Sequence, residues 1–278
     1  MQLKLGKIAV LGLGKMGGIL VRAFQKQGLF AAGDISATVQ HEEKVPALSD
    51  DFGIHVGTDN RAAVRKADII LLGLKPSAVG SVLDEIRSEL NPNQLVISIA
   101  ASVPTEYLEK RLAAAIPVVR AMPNTPAIVG CGMTAICKGK FVHEKHLETA
   151  SRLFASVGKT VTVDEKYMDA ITGLSASGPA YIYIILESLS EGGVKVGLPR
   201  DLATLLAAQT TLGAAQVVLE TGSHPALLKD EVTTPAGCTI DGILELEEGK
   251  LRVTLIKAVV KAAQRAKELL FKDSAVGA

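Results

Sequence analysis

Short, almost unbroken apolar runs alternate with helical stretches through the first half of the chain. Lys7 to Leu13, Ile69 to Leu74 and Leu95 to Ala100 predict strands buried on both faces, with Val118 to Ala121 and Thr160 to Val163 as two more. Between them Gly17 to Gln27, Val79 to Leu90, Thr105 to Arg111 and His143 to Val157 predict helices. Strand and helix in alternation are the pattern of a parallel sheet covered by helices, an α/β doubly wound domain. From Lys166 onward the alternation stops and long helical patterns broken by Gly and Pro take over. The expected organisation is a dinucleotide-binding domain over residues 1–164 and an all-α domain over 165–278.

One predicted helix of the second domain, Leu202 to Glu220, carries Leu, Ala and Val nearly all round, interrupted by Gln209, Thr210, Thr211 and Gln216. Those polar positions argue against a membrane span and for burial. A small helical domain cannot hide such a helix alone, so it is expected to pack against a second subunit in an interlocked homodimer.

Composition narrows the partners. The 278 residues leave room for two ordinary domains, and 30 Lys and Arg against 29 Asp and Glu give a formal net charge of +1. Neither a nucleic acid nor an acidic membrane surface is implied, and a small-molecule ligand fits better. Cys131, Cys137 and Cys238 have no metal-like spacing, and the start of the chain lacks a secretory pattern; a reduced, cytoplasmic protein is expected. The five His residues show no paired ligand spacing, so no metal is expected.

The first chemical motif is Gly12-Leu-Gly14-Lys15-Met16-Gly17, which follows an apolar strand and opens a helix. That context is what the dinucleotide fingerprint requires: a tight turn, close approach of the pyrophosphate, and close packing of helix on strand. Asp34 lies at about the distance of an acid that grips a ribose hydroxyl. If the strand instead continues, Ala37 and Thr38 stand at its tip, leaving space for a 2′-phosphate; NADPH is then the expected coenzyme, with NADH as the alternative. Asn60, Gly73, Lys75, Pro76 and Ala101 fall where the later strands and loops would meet the coenzyme. Gly178 followed by Pro179 suggests a helix cap and first turn.

The most informative stretch is Asp230-Glu-Val-Thr-Thr-Pro-Ala-Gly-Cys-Thr-Ile-Asp-Gly242. Thr234 followed by Pro235 predicts a helix start, with the N–H groups of Ala236, Gly237 and Cys238 free at its positive end. A carboxylate could dock there without any arginine, and the Thr239 hydroxyl, one step further on, could donate to a ligand nitrogen. In isolation such a start is more often a plain helix cap.

Taken in order, Met122-Pro-Asn-Thr-Pro126, Gly173-Leu-Ser-Ala-Ser-Gly-Pro-Ala-Tyr181, Gly192-Gly-Val-Lys-Val-Gly-Leu-Pro-Arg200 and Leu228 to Ile240 closely resemble the pyrroline-5-carboxylate reductase family over essentially the whole chain. The resemblance implies a Rossmann-type domain with a C-terminal helical dimerisation domain, often assembled as pentamers of dimers. It implies reduction of the C=N bond of 1-pyrroline-5-carboxylate to L-proline, the last step of proline biosynthesis. Thr239 matches the family's imine-binding threonine, and Thr234, Gly237 and Cys238 match carboxylate-binding positions. Gly12, Gly14, Thr38, Asn60, Lys75, Pro76 and Ala101 match coenzyme-side positions. The chain departs from the pattern at Ala236 and Ser102, where the family commonly has Gly, at Cys238, and at the strand tip, where an Asn-Arg pair is missing. A β-hydroxyacid dehydrogenase would share this layout but would carry a Lys and an Asn on the helix after the Gly-rich segment; Tyr181 to Ser190 offers neither. A non-catalytic coenzyme-binding sensor would need no imine donor.

Overall fold

The computed structural model describes residues 5–112 and 115–273. Among them eight strands form one sheet: β1 (Ile8–Leu11), β2 (Ile35–Thr38), β3 (His55–Gly57), β4 (Ile69–Leu72), β5 (Leu95–Ser98), β6 (Val118–Met122), β7 (Gly132–Lys138) and β8 (Gly158–Thr162). Their spatial order is β3-β2-β1-β4-β5-β6-β7-β8. The first six run parallel, in register through Ile8 beside Ile35 and Ile69, and Ile69 beside Leu95. Such strands must be apolar on both faces, because helices cover both. Val10 and Ile97 accordingly join Leu20, Phe24 and Phe154 in a core on one face, while Leu11 and Val96 join Leu83 and Val118 on the other.

The helices are α1 (Lys15–Lys26), α2 (Val45–Phe52), α3 (Asn60–Arg65), α4 (Pro76–Ile86), α5 (Thr105–Arg111), α6 (Glu144–Ala155) and α7 (Met168–Ile171). Two strands have no counterpart in the sequence pattern, the short β3 and β7. β7 returns antiparallel to β6, pairing Val119 with Lys138 and Met122 with Ala135, and β8 follows it in parallel. Gly158 lets β8 lie close against β7, since a Cβ there would collide with the Gly132 carbonyl oxygen.

The described residues divide into two compact units, those up to 176 with 261–273, and residues 177–260. The second is built of α8 (Gly178–Lys195), α9 (Arg200–Thr221), α10 (Pro225–Val232), α11 (Cys238–Glu248) and the first half of α12 (Leu251–Asp273). α8 and α9 approach closely through small residues: a Cβ on Gly193 would meet the Ala203 Cβ at 2.8 Å, and Ala203 and Ala207 are buried. The remaining apolar surface of α9 is largely uncovered in the single chain, including Leu205, Leu212 and Leu219 at seven-residue intervals along one face. By length and composition α9 is also apolar enough to cross a membrane. The start of α8 departs from expectation by one residue: Ser177 is the cap and Gly178 the first helical residue, so Pro179 sits second, where a missing N–H is still harmless.

Candidate active site

The carboxyl ends of β1, β2 and β4 gather one group of the expected residues. The chain leaves β1 at Gly12 with φ of 95°, a left-handed conformation that glycine adopts without strain. A Cβ on Gly12 would lie 2.6 Å from the Gly73 carbonyl oxygen, one on Gly73 would lie 2.6 Å from the Gly12 oxygen, and one on Gly17 would lie 2.5 Å from that same oxygen. Three glycines therefore let the β1–α1 turn, the first turn of α1 and the end of β4 press together. Gly14, the N-cap of α1, has open space beside it. That opening is what a pyrophosphate needs to reach the free N–H groups of the helix start. Lys15 stands exposed next to it, and Met16 packs back onto the core.

Thr38 ends β2 and does two jobs. Its carbonyl oxygen accepts from the backbone N–H groups of Gly12 and Leu13 at 3.0 and 3.1 Å, fixing the glycine turn to the strand tip. Its hydroxyl donates to Asn60 Oδ1 at 2.7 Å, and Asn60 Nδ2 donates to Glu85 Oε2 at 3.0 Å. Gly12, Thr38, Asn60 and Glu85 line one cavity of about 330 Å³. Glu85 was missed by sequence reasoning, although Ala78, Ser81, Val82 and Glu85 recur at helical spacing after Pro76 and all line this cavity. Asp34 takes no part: it ends a helical turn ahead of β2, at the amino end of the strand, whereas ligands of such sheets gather at the carboxyl ends.

Lys75 is the N-cap of α4 with Pro76 at the first helical position, at the carboxyl end of β4. Ala101 follows β5 and packs against the small core of Met122, Cys137 and Met168. Its neighbour Ser102 is buried with φ of 65°, and its hydroxyl has no hydrogen-bond partner.

The second unit holds the other predicted residues, and here the expected helix start is corrected. α11 begins at Cys238 with Gly237 as N-cap, not at Pro235 with Thr234. Ala236 adopts φ of 58°, and the Gly237 N–H donates to the Thr234 carbonyl at 3.0 Å, so Thr234 to Gly237 form a turn ahead of the helix. The Gly237 N–H is thus engaged. The open donors of the first helical turn are those of Cys238, Thr239 and Ile240, with no side-chain cap on them. Gly237 has no room for a side chain, since a Cβ would fall 2.4 Å from Thr234 Oγ1. Thr234, Gly237, Cys238 and Thr239 remain together as one turn and helix start. Among the described residues no cluster of His, Cys, Asp and Glu could hold a metal.

Comparison with known proteins decides the family. The chain is 44% identical over 263 residues to the pyrroline-5-carboxylate reductase of Methanosarcina acetivorans, covering 95% of this chain and 97% of that protein. The chain belongs to the pyrroline-5-carboxylate reductase family. Residues 165–269 match the family model of pyrroline-5-carboxylate reductase dimerisation, and residues 7–102 match that of NADP oxidoreductase, coenzyme F420-dependent. The fold is similar to the solved pyrroline-5-carboxylate reductase of Coxiella burnetii, with a TM-score of 0.86 and 37% identity over 95% of this chain and 98% of that one. It is similar also to the Plasmodium falciparum pyrroline carboxylate reductase with NADP bound, with a TM-score of 0.87 and 30% identity over 96% and 99% of the two chains. The reductase family thus has the N-terminal sheet and C-terminal helical dimerisation segment seen here, and oligomer formation goes with it.

Proposed function

We propose that the chain reduces the C=N bond of 1-pyrroline-5-carboxylate to give L-proline, as an NAD(P)H-dependent oxidoreductase. The observation that carries this reading is identity of 44% to a named reductase across nearly the whole of both chains. The relatives support NADPH as the reductant, with NADH as the alternative. When bound, the reduced nicotinamide supplies the hydride; the chain's own residues supply position and electrostatics.

In this reading Gly12, Gly14, Lys15, Met16 and Gly17 hold the pyrophosphate, Thr38 and Asn60 the adenosine side, and Gly73, Lys75, Pro76 and Ala101 the nicotinamide side. The fit is supported by the glycine turn: Gly12, Gly17 and Gly73 let its backbone close up, and Gly14 leaves open space before the first N–H groups of α1. Thr234 and Cys238 bind the substrate carboxylate, with the open N–H groups of the α11 start as donors, while Gly237, its own N–H engaged by the Thr234 carbonyl, lets the carboxylate approach the turn closely. The Thr239 hydroxyl holds the ring nitrogen by a hydrogen bond. It is far too weak an acid to give up its proton, so its role is orientation and not net donation. Residues 1–164 serve the coenzyme, and 165–278 serve dimerisation and substrate binding. The protein works as a homodimer, formed through the uncovered apolar face of α9, and assembles further, up to a decamer. Three free cysteines, two of them exposed, suit the cytoplasm.

The test is to follow loss of reduced nicotinamide absorbance with pyrroline-5-carboxylate as substrate and to identify proline as product. Turnover of 3-hydroxyisobutyrate in preference to the imine, or coenzyme binding with no turnover of any imine, would overturn the reading.

A further inference from the structure

Resting on the reductase reading, we propose that the adenosine end of the crevice is built for a free ribose 2′-hydroxyl, so that this chain binds NADH at least as tightly as NADPH. Thr38, Asn60 and Glu85 set that preference.

The chain of donors and acceptors admits only one arrangement. A carboxylate can only accept, so Glu85 must face the amide nitrogen of Asn60, and the amide oxygen is then turned to Thr38. Thr38 carries one hydroxyl hydrogen, and it is spent on that oxygen at 2.7 Å. What Thr38 has left for a ligand is lone pairs. A ribose 2′-hydroxyl can donate to them, whereas a doubly ionised phosphate offers only acceptors of its own. The sequence alone makes the Thr38 hydroxyl look like room for a phosphate; the structure shows its hydrogen already used.

The charge around the cavity points the same way. Glu85 lines it together with the neutral side chains of Gln40, Thr58 and Ser81, and neither Lys nor Arg lines it among the described residues. The Ser81 hydroxyl is itself turned to the Ala78 carbonyl at 3.1 Å. Of the groups just past the strand tip, His41 faces Glu43 at 3.5 Å, and Lys44 sits exposed in the following helical turn. A 2′-phosphate entering here would lose water beside a carboxylate without gaining a fixed cation.

Calorimetry on the purified full chain separates the possibilities, using NADH and NADPH and the two fragments ADP-ribose and 2′-phospho-ADP-ribose, which cannot turn over. The expected result is that each 2′-hydroxyl ligand binds as tightly as its phosphorylated counterpart or more tightly. Gln40→Arg, which adds a cation to the cavity wall, should raise NADPH affinity about tenfold while leaving NADH within about threefold. Glu85→Gln should raise NADPH affinity severalfold by removing the opposing charge. Phosphorylated ligands binding more than about threefold tighter to the unaltered protein would overturn this proposal and leave the reductase reading standing. Binding of neither coenzyme would overturn both.

Discussion

The guanidinium of Arg120, on β6 and almost wholly buried, donates to Glu165 at 3.2 Å and to Asp169 at 3.4 Å. Glu165 also accepts from the backbone N–H and the hydroxyl of Thr105, at 2.8 and 2.5 Å, so one carboxylate ties β6 to the start of α5. Removing it leaves a buried cation short of a partner, since Arg120 Nε already has none. Glu165→Ala should cost about 2 kcal/mol or more of stability in urea unfolding, and Glu165→Gln less, because an acceptor remains. A change below about 0.5 kcal/mol for the alanine variant would show that the cluster is stabilised elsewhere.

Ser102 combines a left-handed backbone with a buried, unpartnered hydroxyl. Both defects vanish in Ser102→Gly, which should raise stability by about 1 kcal/mol, whereas Ser102→Ala removes only the second. Ala236, with φ of 58° in the turn before α11, should respond to glycine in the same direction. Thermal unfolding of the three variants checks the pattern, and a destabilised glycine variant at Ser102 would contradict it.

Cys137 lies buried beside Glu165, and burial pushes its thiol from 9.0 up to about 12. Between those values the unfolded chain has lost its thiol proton and the folded chain has kept it, so this group's contribution to stability falls as pH rises from about 9 towards 12. Denaturant midpoints across that range should drop less steeply in Cys137→Ala than in the unaltered protein. In the native protein iodoacetamide should label the exposed Cys131 and Cys238 and spare Cys137, as read by mass spectrometry.

Thr239→Val keeps the shape of the residue and removes the hydroxyl. If that group holds the imine nitrogen, kcat/KM should fall by roughly 10- to 150-fold, equivalent to about 1.5 to 3 kcal/mol, with coenzyme affinity unchanged. Full activity in a folded variant would remove Thr239 from the proposed site.

Gly17→Ala places a methyl group where the Gly12 carbonyl oxygen stands only 2.5 Å away. The turn must then shift, and coenzyme binding should weaken by an order of magnitude or more in a calorimetric titration. Gly14→Ala, with open space around it, should disturb the fold far less.

How far the chain could be read in advance follows from how local each signal is. The parallel strands β1, β4 and β5 are buried on both faces, so four consecutive apolar or small residues announce each of them. β7 mixes Gly132, Thr134 and Lys138 with its apolar residues, and it is held by Met122, Ala121 and Val119 across the sheet, a relation no window of sequence contains. At Thr234-Pro235 the local rule for a helix start is sound, but Ala236 takes the left-handed conformation and delays the helix by three residues. An alanine gives no notice of that, as a glycine would. Glu85 sits far along the chain from Thr38, and its place in the crevice depends on α4 being docked.

The leucines at 205, 212 and 219 on α9 stay exposed in the single chain. If a second copy covers them, folding and association become one equilibrium, and stability ceases to be a property of the sequence alone. Each tenfold dilution would then remove about 1.4 kcal/mol from the assembled state, so a melting temperature for this protein has meaning only beside the concentration at which it was taken.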